Sequence, residues 1–149
     1  MIKPFTWLLA LAGTVSIVFA ACSKEDDPQT PADNSQIAGT WHFQKEIDSL
    51  FDKSNQLVSV DTTYAADLDL DNPSITFQQN GTVTSALSDT LTGTYTYKPA
   101  SKTLEIVSSD GISQQLNVIT LDGAQLVFES TDTDYGDGKY SKEYFYLTK

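Results

Sequence analysis

Ser74-Ile75-Thr76-Phe77-Gln78-Gln79-Asn80-Gly81-Thr82-Val83-Thr84-Ser85-Ala86-Leu87 is the most legible stretch of the chain. Apolar and polar side chains alternate on both sides of Asn80-Gly81, as they do in a half-buried strand. The dipeptide is the strongest short-range hairpin signal, since both central residues of the tight turn must take positive φ. It predicts two antiparallel strands, and the same grammar recurs outward in both directions.

Toward the N-terminus, residues 39–47 alternate so that Trp41, Phe43 and Ile47 share one face, and residues 56–60 make a second strand reaching toward Tyr64. The span 47–55 is the one place where a helical turn could sit. Toward the C-terminus, strands are predicted at 92–97, 103–107, 112–121, 125–129 and 140–148, separated by Lys98-Pro99-Ala100-Ser101, Asp110-Gly111, Asp122-Gly123 and a polar loop. Eight or nine short strands joined by tight turns imply an all-β antiparallel meander. With no helix to cover a face, closing the sheet into a small barrel of about eight strands removes its edges. The inward candidates are Trp41, Phe43, Phe77, Tyr95, Tyr97, Leu104, Ile106, Leu116, Val118, Leu126 and Phe128. They are bulky enough to fill a small barrel by themselves.

The start of the chain reads differently. Lys3 is followed by a charge-free, mostly apolar run to Cys22, softened by Thr6, Gly13, Thr14 and Ser16. A short basic start and an apolar run ending in small residues mark a secretory signal. A spanning helix would need roughly 20 strongly apolar residues. Phe19-Ala20-Ala21-Cys22 resembles the lipobox of bacterial lipoproteins, although leucine is commoner than phenylalanine at its first place. That resemblance implies cleavage after residue 21 and acylation of Cys22, palmitate being one such chain. Cys22 is the only cysteine, so no intramolecular disulfide can form, and acylation would remove an otherwise exposed thiol. Two or three acyl chains anchor stably, because each buried methylene contributes about 0.8 kcal/mol. The alternative is an unmodified cysteine.

Ser23, Lys24, Glu25, Asp26 and Asp27 follow at once and resemble the acidic export signal behind the lipidated cysteine of Bacteroidota lipoproteins. The resemblance implies an outer-membrane protein facing the cell exterior, whereas a solvated acidic linker is the plain reading of such a run. Residues 28–36, with two prolines and polar side chains, read as a tether. The expected organisation is a signal peptide at 1–21, a lipidated acidic tether at 22–36 and one folded domain at 37–149.

Removing residues 1–21 leaves 128 of the 149, with 8 lysines against 20 acids and a balance of −12; there is no arginine. Nucleic-acid binding needs a basic footprint and is excluded. Attachment to anionic headgroups is disfavoured on the same ground, so the acyl chains would be the membrane contact.

Gly39-Thr40-Trp41 resembles the Gly-x-Trp signature that opens the first strand of lipocalins. Ile75-Thr76-Phe77, Asn80-Gly81-Thr82-Val83 and Gly93-Thr94-Tyr95 are similar to the lipocalin-like domains of Bacteroidota lipoproteins. The resemblance spans residues 37–149 and implies a calycin-type barrel whose Gly39 and Trp41 close one end. In lipocalins that tryptophan packs under an arginine near the last strand. With no arginine here, the lid must be absent or supplied by a lysine such as Lys142 or Lys149. Thr133-Asp134-Tyr135 spells the second lipocalin motif within a repetitive run where chance gives the same letters.

Little in the chain suggests catalysis. His42, the single histidine, reads as a surface residue beside Trp41. Asp67, Asp69 and Asp71 have the alternating spacing that begins a calcium loop, but Asn72 and Gln78 stand where its glycine and bidentate glutamate belong. Asp132, Asp134 and Asp137 form a looser second group. Solvated loops are the default for both, no enzyme activity is expected, and no cofactor is implied. Two functions remain. One is a binding protein holding a small hydrophobic molecule or glycan at the open barrel end; the other is a filled barrel acting as a protein-interaction or inhibitor module. An apolar void above roughly 300 Å³ favours the first. No void, with an exposed patch of Tyr135, Tyr140, Tyr144 or Tyr146, favours the second. The oligomeric state is not legible.

Overall fold

In the computed structural model, residues 34–87, 91–133 and 137–149 are described. The expectations at residues 1–21, Cys22, Ser23, Lys24, Glu25, Asp26, Asp27, Asp134 and Tyr135 lie outside them. Nine strands run in chain order: β1 Gly39–Phe51, β2 Leu57–Tyr64, β3 Ser74–Phe77, β4 Thr82–Ser85, β5 Leu91–Lys98, β6 Thr103–Ser108, β7 Ser113–Leu121, β8 Gln125–Asp132 and β9 Tyr140–Thr148. All pairings are antiparallel, and β1 pairs with both β3 and β9. That double pairing closes an eight-strand barrel of β1 and β3 to β9. β2 is the extra strand, lying against the far half of β1.

The hairpin at Asn80-Gly81 forms with a different turn from the one expected. Gly81 takes positive φ (86°) but Asn80 does not. Gly81 N–H donates to Gln78 O and Gln78 N–H to Thr82 O, giving a three-residue loop whose last residue is left-handed. Asn80 contributes its side chain, with Oδ1 accepting from Thr82 N–H at 3.0 Å. The loops ending at Asn55 and Gly111 repeat this bonding and the positive φ. Glycine and asparagine tolerate that conformation best, which is why they stand there.

The expected helical turn at 47–55 is absent. β1 continues through Phe51, since pairing with β2 and β9 on its two sides satisfies the backbone of that segment. A single short 3₁₀ turn, Ala65–Asp67, follows β2 instead. A bulge corrects a second expectation. Phe43 pairs with Leu147 and Lys45 with the adjacent Tyr146, leaving Gln44 unpaired. One inserted residue reverses the side-chain parity of the rest of the strand. Ile47 therefore leaves the face of Trp41 and pairs with Tyr144, while Glu46, Asp48 and Leu50 turn to the face of Phe145, Glu143 and Ser141.

The core is continuous through the barrel. Trp41, Phe77, Tyr95, Tyr97, Leu104, Leu116, Val118, Leu126 and Phe128 are buried in it, with Ile106 packed against it. Phe43 is also buried, opposite Leu147. All eleven inward candidates are thus shielded. The turn 34–37 belongs to the folded unit too: Ala38 N–H reaches Asn34 O, and Asn34 Oδ1 accepts from Tyr97 N–H.

Candidate ligand cavity

The two ends of the barrel differ. At one end Trp41 is fully buried and its indole N–H donates to Ile37 O at 2.7 Å. Lys149 Nζ lies 4.5 Å from the centre of the Trp41 ring, a cation–π contact. A side chain at Gly39 would meet Lys149 Cε at 3.0 Å, so the glycine makes room for this lid. Of the two lysines considered from the sequence, Lys149 supplies it. Lys142 pairs with Glu129 on another face, at 3.4 Å.

At the other end the interior is open. A cavity of about 270 Å³ is lined by Ile75, Val83, Leu116, Phe128 and Phe145 in its walls and by Leu91, Ser108, Asp110 and Ile112 toward its mouth. Leu91 and Ile112 are exposed apolar residues, so the mouth has an apolar rim. The volume falls just short of the roughly 300 Å³ at which small-molecule pockets begin. The barrel is neither hollow throughout nor filled. Its lower half is packed solid by Trp41, Phe77, Leu104, Leu126 and Leu147, and its upper half holds the space. Smaller or polar residues, Val83, Ser85, Ser108 and Gln114, line the space beside Phe128 and Phe145.

Beside the cavity the inner wall is acidic. Gln114 lines the space and reaches Ser130 Oγ at 3.2 Å. Ser130 is the register partner of Glu143, and Glu143 is the partner of Asp48. Glu46 sits opposite the cavity-lining Phe145. Burial first, then the charges of Glu143 and Asp48, raise the Glu46 carboxyl above its ordinary value of 4.5. Glu143 is raised by burial, then by Asp48 and Asp132. Asp48 Oδ1 and the Oγ of the fully buried Ser141 have no hydrogen-bond partner.

The opposite, outward face of the same strands is electrically balanced. Burial acts to raise Glu129, but hydrogen bonds with Tyr144 and Asn117 and the charge of Lys142 outweigh it, and its pKa is lowered. The bond to Glu129, then burial, pushes Tyr144 up to about 12. Lys45 lies over the Tyr146 ring and Phe51 stacks on Tyr140. Tyr140, Tyr144 and Tyr146 are therefore half-buried and engaged at home.

The inner acids give a pH signature. Because Glu46 and Glu143 have raised values in the fold, their protonated forms contribute stability below their unfolded values, and that contribution is lost as pH rises through the folded ones. The lowered Glu129 works the other way, and its contribution is lost as pH falls through its folded value. The urea midpoint should consequently be higher near pH 5 than at pH 7.5. Glu143→Gln should raise the unfolding free energy at pH 7.5 by about 0.5 kcal/mol, the scale of a directly opposed like-charge pair, and flatten the gain on acidification. An unchanged midpoint and an unchanged pH slope would refute this.

The other residues singled out from the sequence are dispersed. His42 is at the surface with Nδ1 2.9 Å from Asn72 Oδ1. Asp67 accepts from Tyr64 N–H at 2.9 Å and closes the 3₁₀ turn. Asp67, Asp69 and Asp71 do not lie along a strand, and among the described residues no three His, Cys, Asp or Glu groups are arranged to hold a metal ion. Glu46 and Asp48 were missed in the sequence because no local signal marks the bulge at Gln44, and Glu143 because its inward place follows only from the β9 pairings.

Residues 37–128 match the family model described as a lipocalin-like domain. The chain belongs to this family. The matched segment runs from the turn ahead of β1 into β8. The strand β9, which closes this lipocalin-like barrel, lies beyond it. Searches of curated proteins and of solved structures return no match. Lipocalin-like domains are generally binding proteins rather than enzymes, and the end of this one opposite Trp41 offers the enclosed apolar space that binding requires.

Proposed function

We propose that this lipocalin-like protein binds a small hydrophobic molecule in the open end of its barrel and does so without catalysing a reaction. The observation that carries the reading is the cavity of about 270 Å³ with walls of Ile75, Val83, Leu116, Phe128 and Phe145. Apolar walls favour an apolar ligand over a glycan, which would need more polar partners. The test is native mass spectrometry of protein purified from its own host. A co-purifying small molecule that is displaced by an apolar competitor is expected. Repeated purifications without one, together with no binding of simple alcohols, would count against the carrier.

The proposal includes location: the lipobox-like Phe19-Ala20-Ala21-Cys22 and the acidic run Ser23–Asp27 support acylation of Cys22 and a place on the outer face of the outer membrane. Cys22→Ala should move the protein from the membrane to the soluble fraction. Retention of the variant at wild-type levels would remove the anchor from the reading.

One observation favours a second reading, a protein contact. β2 is an edge strand whose Leu57, Val58, Val60 and Tyr64 are all exposed, and such an edge can accept an added strand. Its simplest form is pairing with a second copy of the chain. Sedimentation velocity checks it: concentration-dependent dimers that vanish on Val58→Lys and Val60→Lys would support it.

A further inference from the structure

The cavity combines apolar walls with one sign of charge. Its lining holds one ionisable residue, Asp110, and no lysine among the described residues. Asp110 is already satisfied by the Ser108 hydroxyl. Beyond Phe145 on the same inner face, next to the lining rather than part of it, one acid is not. Glu46, Asp48 and Glu143 share the inner face with Phe145, and Asp48 Oδ1 is a buried acceptor with no donor. Ser141, fully buried on the same face, is likewise unpartnered. The lysine of β1, the lysine of β9 and the one that follows β9 are committed elsewhere. Lys45 lies over Tyr146, Lys142 pairs with Glu129, and Lys149 caps Trp41 at the far end. An anionic head entering here would meet like charge at low dielectric, whereas a cation would supply the missing donors.

Resting on the carrier reading above, we propose that the ligand is a cationic amphiphile: an apolar body held against Phe128 and Phe145, with an ammonium group directed to the inner acids Asp48 and Glu143. The protein should discriminate among molecules of equal apolar length by the charge of the head. A fatty-acid-like anion is selected against, a neutral alcohol is intermediate, and an amine is preferred.

Octylammonium, octanol and octanoate share one apolar chain and differ only in the head. Titration calorimetry of the folded protein at pH 7.5 and low salt should rank them in that order, with octylammonium at least about tenfold tighter than octanoate. Added salt should weaken octylammonium and leave octanol unchanged. The double variant Asp48→Asn, Glu143→Gln keeps side-chain shape and removes a repulsion. It should erase most of the octylammonium advantage while octanol binds as before, and retained octanol binding shows that the variant is folded. Octanol binding with octanoate equal to or tighter than octylammonium overturns the charge preference and leaves the hydrophobic carrier standing. So does an undiminished octylammonium advantage in a variant that still binds octanol. Failure of all three probes to bind overturns the carrier itself and this inference with it.

Discussion

Trp41→Ala should destabilise the barrel by about 3–5 kcal/mol, the usual cost of removing a buried aromatic side chain. For a domain of this size the whole stability is on the order of 5–15 kcal/mol, so the loss is a large share of it, and the thermal midpoint should fall by roughly 10–20 °C. The site explains the size of the effect. Trp41 is fully buried, pairs in register with Ile75, and holds the turn 34–37 through its bond to Ile37 O. Truncation opens a cavity and also leaves that buried carbonyl without a donor. Trp41→Phe separates the two contributions by restoring most of the volume and leaving the carbonyl unpaired, at about 1–3 kcal/mol for the orphaned acceptor. Lys149→Met removes only the cation over the ring and should cost less than about 1 kcal/mol. Urea unfolding of the three variants checks the order. Equal losses for Lys149→Met and Trp41→Ala would show that the lid, and not the indole, closes this end.

Ile106→Trp should abolish binding of an octyl chain while leaving the fold in place. Ile106 lines the open cavity and packs against the core from its edge, and it is only partly buried. An indole there can extend into the existing space of about 270 Å³ without expanding a packed region, so the overpacking cost should stay near the lower end of the usual 1–3 kcal/mol. The ligand loses the same space. Displacing about four methylenes from apolar walls forfeits roughly 3 kcal/mol, or about a hundredfold in affinity. Octanol titration reads the loss, and circular dichroism reports the retained sheet. Unchanged octanol affinity in a folded Ile106→Trp variant would place the ligand somewhere other than this cavity.

The two ends of the barrel thus have separable roles, and the sequence made them unequally visible. Gly39-Thr40-Trp41 announced the closed end through its resemblance to the Gly-x-Trp signature of lipocalins, a pattern carried by three consecutive residues. Even there the lid was open between Lys142 and Lys149. Which lysine reaches Trp41 depends on the register of β9 against β1, a pairing of residues about a hundred positions apart. The open end had no comparable signature. Ile106, Leu116 and Phe128 were placed inward, whereas Ile75, Val83 and Phe145 were not named, and bulky side chains in a list do not say whether they meet.

What the sequence by itself determined was everything carried by neighbours along the chain: nine alternating segments, the loops between them, and the shielding of Trp41, Phe77, Tyr95, Leu104, Leu126 and Phe128. Side-chain alternation has a period of two, so it can be read from a few consecutive residues. Tertiary structure alone decided the rest. The bulge at Gln44 reverses the parity of β1, turning Ile47 outward and bringing Glu46 and Asp48 inward. The pairing of β1 with β9 closes the barrel and sets Asp48 opposite Glu143. The cavity arises where Val83, Ser85, Ser108 and Gln114 line the interior, while Trp41, Phe77, Leu104, Leu126 and Leu147 fill the closed end. Each of these is a relation between distant segments, fixed by the pairing of backbone groups and by volume, and neither quantity is written in any local stretch of residues.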